Sequence, residues 1–125
     1  VIAADTSSLA AFLAGDAGAK DVAQLRASLQ SGVLCLPPAT LAEALSNPKT
    51  LAVARPLVAP LPLLDVTSGY WLRVAETRAK LIGKKLKARL ADALIAQSCI
   101  DADVPLITRD RDFRHFATHC GLKLA

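Results

Sequence analysis

Four carboxylates in this chain stand where an acid is costly. Asp92 lies inside Leu90-Ala91-Asp92-Ala93-Leu94-Ile95-Ala96-Gln97-Ser98-Cys99-Ile100, an apolar stretch with helical spacing at Leu90, Leu94, Ile95 and Cys99. A charge buried among such residues is expensive unless something compensates it. The one basic residue a helical turn away is Arg89. The ordinary use of Asp92 is therefore a surface pair with Arg89, and its chemical use is contact with a metal ion or a basic substrate group. Glu43 sits between Leu41-Ala42 and Ala44-Leu45, with no Lys or Arg three or four positions away on either side. A solvated helix-surface glutamate is common, but these flanks weaken that explanation. Asp5 and Asp110 each follow a short apolar run, Val1–Ala4 and Pro105–Thr108 with Arg109 between. The commonest use of Asp5 there is to cap a helix or make a turn.

The elements that must position these acids can be read in order. Val1–Ala4 reads as a buried parallel strand. Ser7 or Ser8 is expected to cap a helix over Leu9–Leu13, ended by Gly15, and Lys20–Gln30 reads as a second helix stopped by Gly32. Val33–Leu36 is a second strand, Thr40–Ser46 a short helix, and Leu51–Leu64 a short helix followed by a strand near Leu61–Leu64. Thr67 or Ser68 is expected to cap a long helix running to about Ile82, with Gly83 as a break before the helix of Asp92. Pro105–Thr108 is a strand and Leu122–Leu124 a last edge strand. Strands that alternate with helices predict an α/β sandwich around a mainly parallel sheet.

In open parallel sheets of this kind, sites form outside the carboxyl ends of the strands. Asp5 and Asp110 follow strands directly, and Glu43 and Asp92 lie on helices packed beside the same edge, so the four acids are expected to converge. Like charges at short range repel by roughly several kcal/mol even at an effective dielectric of about 20. Such a cluster persists only if some acids protonate or a cation binds. Oxygen donors with no Cys or His among them select Mg²⁺, or Mn²⁺, over zinc. A centre of that kind suits metal-assisted phosphodiester cleavage. The flanking charges agree: Arg73, Arg78, Lys80, Lys84, Lys85, Lys87 and Arg89 lead up to Asp92 against Glu76 alone, and Arg109, Arg111 and Arg114 bracket Asp110. A basic rim around an acidic pit points to a polyanionic substrate, although the run over 78–89 would serve equally as a solvated helix face.

Taken in order and spacing, four segments resemble one family. They are Asp5-Thr6-Ser7 after the first strand, Leu41-Ala42-Glu43-Ala44-Leu45, Leu90-Ala91-Asp92-Ala93-Leu94-Ile95-Ala96, and Leu106-Ile107-Thr108-Arg109-Asp110-Arg111-Asp112-Phe113. Across nearly its full length the chain resembles the PIN-domain ribonucleases of the VapC type, the toxins of type II toxin–antitoxin pairs. The resemblance implies a three-layer sandwich with a central parallel sheet of about five strands. It also implies a Mg²⁺-dependent endoribonuclease that forms a homodimer and is inhibited by a small cognate antitoxin. By the same resemblance Asp5, Glu43, Asp92 and Asp110 match the acidic quartet, with Asp5, Asp92 and Asp110 as metal ligands. Thr6 and Thr108 supply nearby hydroxyls, and Asp112 shares or replaces the role of Asp110. Lys84, Lys85, Lys87, Arg89, Arg109 and Arg111 are the expected contacts to nucleic acid.

Composition sets the outer bounds. At 125 residues the chain has room for one domain, taken as 1–125. Its apolar fraction of 53% exceeds the soluble average, yet no run is long enough for a membrane span, and Pro56, Pro60 and Pro62 break the longest candidate. The start shows no basic leader or cleavage site, and the missing Met fits a trimmed natural start. Cys35, Cys99 and Cys120 form an odd set with no CxxC pair, which fits reduced thiols in a cytosol. The apolar surplus around Leu9–Leu13 and Leu51–Val58 is expected to make a homodimer contact and a groove for an amphipathic antitoxin segment. An Arg on that segment would reach Asp5 or Asp92. His115, His119 and Cys120 lack a fourth ligand for zinc, and neither a G-x-S-x-G elbow nor a phosphate-cradling glycine loop is present. Two other readings stay open: a PIN-like fold that has lost catalysis and acts through protein contacts, and, ranked lower, a structure-specific DNA nuclease.

Overall fold

Three short strands organise the computed structural model, which describes residues 1–125. β1 (Ile2–Ala4) runs parallel to β2 (Leu34–Cys35) on one side and to β3 (Leu106–Ile107) on the other, in the order β2-β1-β3. A further segment extends the ladder at each edge by one parallel bridge, Leu36 with Leu63 and Leu106 with Leu124. The five strands expected are thus three strands and two single-bridge edges. Pro62 limits one edge: its carbonyl accepts from the Leu36 N–H at 2.9 Å, but it has no N–H of its own to extend the pairing.

Seven helices surround the sheet: α1 (Thr6–Leu13), α2 (Lys20–Gln30), α3 (Pro38–Ala44), α4 (Leu51–Val58), α5 (Tyr70–Gly83), α6 (Leu90–Ala102) and α7 (Phe113–Cys120). Side chains alternate along a strand, and the core divides accordingly. Ala3, Cys35 and Leu106 face one cluster, packed with Val74 and Leu81 of α5, Ile95 and Cys99 of α6, and Phe113 and Phe116 of α7. Ala4, Leu34, Leu36 and Ile107 face the other, packed with Leu9 of α1, Leu25 of α2, and Ala54 and Val58 of α4. Two clusters on two faces of one sheet make three layers, as the alternation of elements predicts. Each fully buried Leu, Ile or Phe side chain contributes roughly 1.5–3 kcal/mol. Cys35 and Cys99 are buried free thiols within the first cluster. No helix is long and apolar enough to cross a membrane.

Two caps differ from expectation. Asp5, rather than Ser7 or Ser8, caps α1, its carboxylate accepting from the Ser8 N–H at 3.0 Å. The N-cap of α5 is Gly69, in the left-handed region at φ 81°, with no side-chain cap. The Thr67 hydroxyl is engaged elsewhere, accepting from Arg73 Nη2 at 2.8 Å. The basic run is also not one helix face. α5 stops at Gly83, and Lys84–Arg89 form a non-helical connection to α6, with Lys85 at φ 60°.

Candidate active site

Parallel strands send their carboxyl ends to one edge. The last ladder bond there, Asp5 N–H to the Ile107 carbonyl at 3.1 Å, brings Asp5 beside Thr108. The Thr108 hydroxyl donates to Asp5 Oδ2 at 2.6 Å and accepts from the Asp110 N–H at 3.0 Å, so one side chain aligns the ends of β1 and β3. Asp5 is only 2% exposed and is densely solvated by protein. The Ser7 hydroxyl lies 3.0 and 2.8 Å from its two oxygens, in addition to Thr108 and the Ser8 N–H. Burial raises the Asp5 carboxyl above its ordinary value, while the hydrogen bonds from Thr108, Ser8 and Ser7 oppose the rise. The Ser7 contact is local, made across two residues of the same chain segment, and periodicity carries no signal of it.

Asp92 lies in the first turn of α6, a helix almost wholly buried along Ala93 and Ile95–Cys99. The apolar sequence leaves α6 no solvated face, so Asp92 emerges at the helix end, where the N-terminal dipole favours an acid. One oxygen each from Asp92, Asp110 and Asp112 lie within 4.8 Å of one another. Burial pushes the Asp92 carboxyl up to about 6, Asp110 adds to the rise, Arg89 opposes it, and Glu43 and Asp112 add further. The ordinary alternative, an Asp92–Arg89 ion pair, does not form: Arg89 Nη2 reaches Asp112 Oδ2 at 3.6 Å, beside Lys87 Nζ at 3.1 Å. Glu43 flanks the cluster and accepts from the Thr6 hydroxyl at 2.6 Å.

The donor set is carboxylate oxygen throughout, close enough for one cation to bridge and short of protein counter-charge at Asp92. That chemistry fits a divalent metal. Asp112 stands inside the cluster with Asp110, so the two acids left as alternatives on sequence are both present. Asp5 adjoins through Thr108 and electrostatically through Asp110.

The basic residues separate into three groups. Lys84 and Lys85 are exposed on the α5–α6 connection and Arg111 on the turn before α7. Lys87 and Arg89 bind Asp112. Arg109 departs from expectation: its guanidinium is held by Asp21, through Nε at 2.8 Å and Nη2 at 2.9 Å, and by Asp16 at 3.2 Å. The Arg109 hydrogen bond draws the Asp21 carboxyl down to about 2. Arg109 therefore ties α2 to the end of β3 instead of standing free on the rim. Arg78 and Lys80 are likewise spent, on the carbonyls of Ala88 and His119.

Two hollows adjoin α1. One, about 290 Å³, lies between α1, α2 and α4 and is lined by Leu9, Phe12, Leu25, Leu57, Val58 and neighbouring apolar residues. The other, about 360 Å³, lies between α1, α3 and α4 and opens at Thr6 and Glu43.

Comparison with known proteins places the fold. A family model described as PIN domain matches residues 2–118. Among solved structures, the chain is similar to a chain of VapBC2 from Rickettsia felis bound to a DNA fragment from their promoter. The TM-score is 0.76 at 18% identity, over 99% of this chain and 96% of that one. It is also similar to a chain of DNA-bound VapBC from Salmonella typhimurium, with TM-score 0.71, 18% identity and the same coverage. No curated protein matches the chain.

Proposed function

Because this chain belongs to the PIN-domain family, whose members are generally nucleases, we propose that it is a metal-dependent endoribonuclease acting as the toxin of a toxin–antitoxin pair. The observation that carries the reading is the convergence of Asp92, Asp110 and Asp112 within 4.8 Å beside buried Asp5. A Mg²⁺ or Mn²⁺ ion held by these acids supplies Lewis-acid polarisation of the phosphate and activation of water. Asp92 and Asp110 act as ligands, with Asp112 sharing the site while its second role is to hold Lys87 and Arg89. Asp5 is kept in one rotamer by Ser7, the Ser8 N–H and Thr108, which fixes the floor of the site. Glu43, oriented by Thr6, stands at the rim, where it can accept a proton. Lys84, Lys85 and Arg111 attract the RNA backbone.

The largely apolar hollow between α1, α2 and α4 supports the antitoxin proposal, since an amphipathic helix lays its apolar face in such a groove. An Arg from that segment, reaching Asp92, would make charge-assisted bonds in the cation's place. Exposed Trp71 and Leu72, which line neither hollow, leave apolar surface for a homodimer contact. The free thiols accord with a cytoplasmic setting.

Cleavage of single-stranded RNA with Mg²⁺ tests the reading. Asp92→Asn is expected to lower the rate at least about a hundredfold while circular dichroism stays unchanged, since it removes a ligand whose loss is felt mainly in the chemical step. Wild-type rates in the variant would reject the assignment.

A further inference from the structure

The two hollows beside α1 differ in kind. The one between α1, α2 and α4 is almost entirely apolar. The larger one combines apolar walls, including Ala10, Leu13 and Val53, with a polar side formed by Asn47, Lys49 and Thr50. It also shares Thr6 and Glu43 with the acidic site, so whatever occupies it lies next to the reacting phosphate. We propose that this hollow receives the base of an RNA nucleotide flanking the scissile phosphate, and that Asn47 reads a keto oxygen on that base. The proposal rests on the nuclease reading above.

A nucleobase has two apolar faces and a polar edge, and this hollow offers the matching surfaces. A strand crossing the acidic cluster must carry its bases to one side of the backbone, and the opening at Glu43 lies beside that path. The orientation of the Asn47 amide is set by the chain itself. The Lys49 N–H donates to Asn47 Oδ1 at 2.9 Å, which requires the oxygen at that position. The amide group left for a ligand is the NH₂, a donor. A donor selects the O6 of guanine or the O4 of uracil over the amino groups of adenine and cytosine at the same edge. The Lys49 side chain is exposed and free of acidic partners, and so is available to the nucleotide's phosphate. A partner protein's helix would bring an apolar stripe, which suits the first hollow better than one edged by an amide, a hydroxyl and an ammonium.

The test is cleavage of an RNA library randomised at every position, in Mn²⁺, with the product ends sequenced. Wild type is expected to favour G and U over A and C by about fivefold or more at one position flanking the cut, the selectivity of a single hydrogen bond. Asn47→Asp keeps the acceptor for the Lys49 N–H and replaces the donor by an acceptor, so the preference should move toward A and C. Val53→Trp, at a position 74% exposed and therefore compatible with folding, narrows the hollow and should flatten the preference. Thermal melting confirms that each variant is folded. A wild-type enzyme indifferent to the flanking bases overturns the proposal, as does a preference unchanged by both substitutions; the latter would leave a protein segment as the occupant. Cleavage with either of those patterns rejects the base site alone, whereas a wild-type protein that cuts no RNA at all rejects the nuclease reading and the base site together.

Discussion

The contact between α5 and α6 and the cleft at the strand ends both concentrate charge, and they settle it in opposite ways. Between the helices, Asp101 accepts from Arg73 Nε at 3.0 Å and Nη2 at 2.7 Å, and from Gln97 Nε2 at 2.8 Å. The Thr77 hydroxyl completes Gln97, and the Tyr70 hydroxyl reaches the Leu94 carbonyl at 2.6 Å. The Arg73 hydrogen bond holds the Asp101 carboxyl below its ordinary value. In the cleft, Asp92, Asp110 and Asp112 face one another, and the Asp92 carboxyl is pushed up to about 6. The same residue type in the same helix is thus completed by the chain at one end of α6 and left facing other carboxylates at the other. A charge that the fold satisfies joins elements; a charge that it leaves unsatisfied can bind.

The largest effect should come from breaking the completed end. Asp101→Ala removes the acceptor of the buried Gln97 amide, so urea unfolding should show a loss of about 1–3 kcal/mol from that unsatisfied donor, with little added by the exposed Arg73 guanidinium. A loss below about 0.5 kcal/mol would mean that the network is ornamental, as many surface pairs are.

The next effect sharpens the contrast through pH. Asp92 has an ordinary value of 3.8 and a folded value of about 6. In the metal-free protein its protonated form is favoured by folding, so that stability is fully present below 3.8 and is lost as pH rises through about 6. Asp101, shifted downward, works in the other direction: its contribution is present above 3.8 and is lost as pH falls. In EDTA, the stability difference between Asp92→Asn and wild type should therefore grow in the variant's favour between pH 4.5 and 7.5, by about 1–2 kcal/mol after solvent screening. A difference independent of pH would remove the electrostatic strain assigned to the cleft.

The smallest effect concerns the rim. Lys84→Glu with Lys85→Glu should leave the melting temperature within about 2 °C and weaken RNA binding. The slope of log affinity against log salt should fall by roughly one to two units, as two phosphate contacts are lost from a single strand. An unchanged slope would place these lysines outside the RNA path.

The division between what could be read in advance and what could not follows from range. Asp92 is conspicuous because its neighbours are apolar and one local cation lies within reach, and periodicity together with the Gly32 stop bounds α2. The convergence of Asp5 with Asp110 followed from the rule for parallel sheets. The fate of Arg109 had no local signal, since Asp21 lies 88 positions away. For the same reason the basic run looked uniform, although Arg78 and Lys80 bond carbonyls while Lys87 and Arg89 bind Asp112. Caps failed where a side chain had a better offer: Thr67 turns to Arg73, and Asp5 precedes the serines expected to start α1. Strand number was the softest feature, because pairing at the edges rests on one bridge each and proline blunts one of them.

The central proposal is that the acids of the cleft bind a divalent cation. Melting of wild type and Asp92→Asn, each in EDTA and in millimolar Mn²⁺ or Mg²⁺, tests it without an activity assay. A ligand present at a hundred times its Kd stabilises the native state by about 2.7 kcal/mol. The account predicts that metal raises the wild-type melting temperature by several degrees and that of Asp92→Asn by about 1 °C or less. Equal shifts in the two proteins, or no shift in wild type, would contradict it.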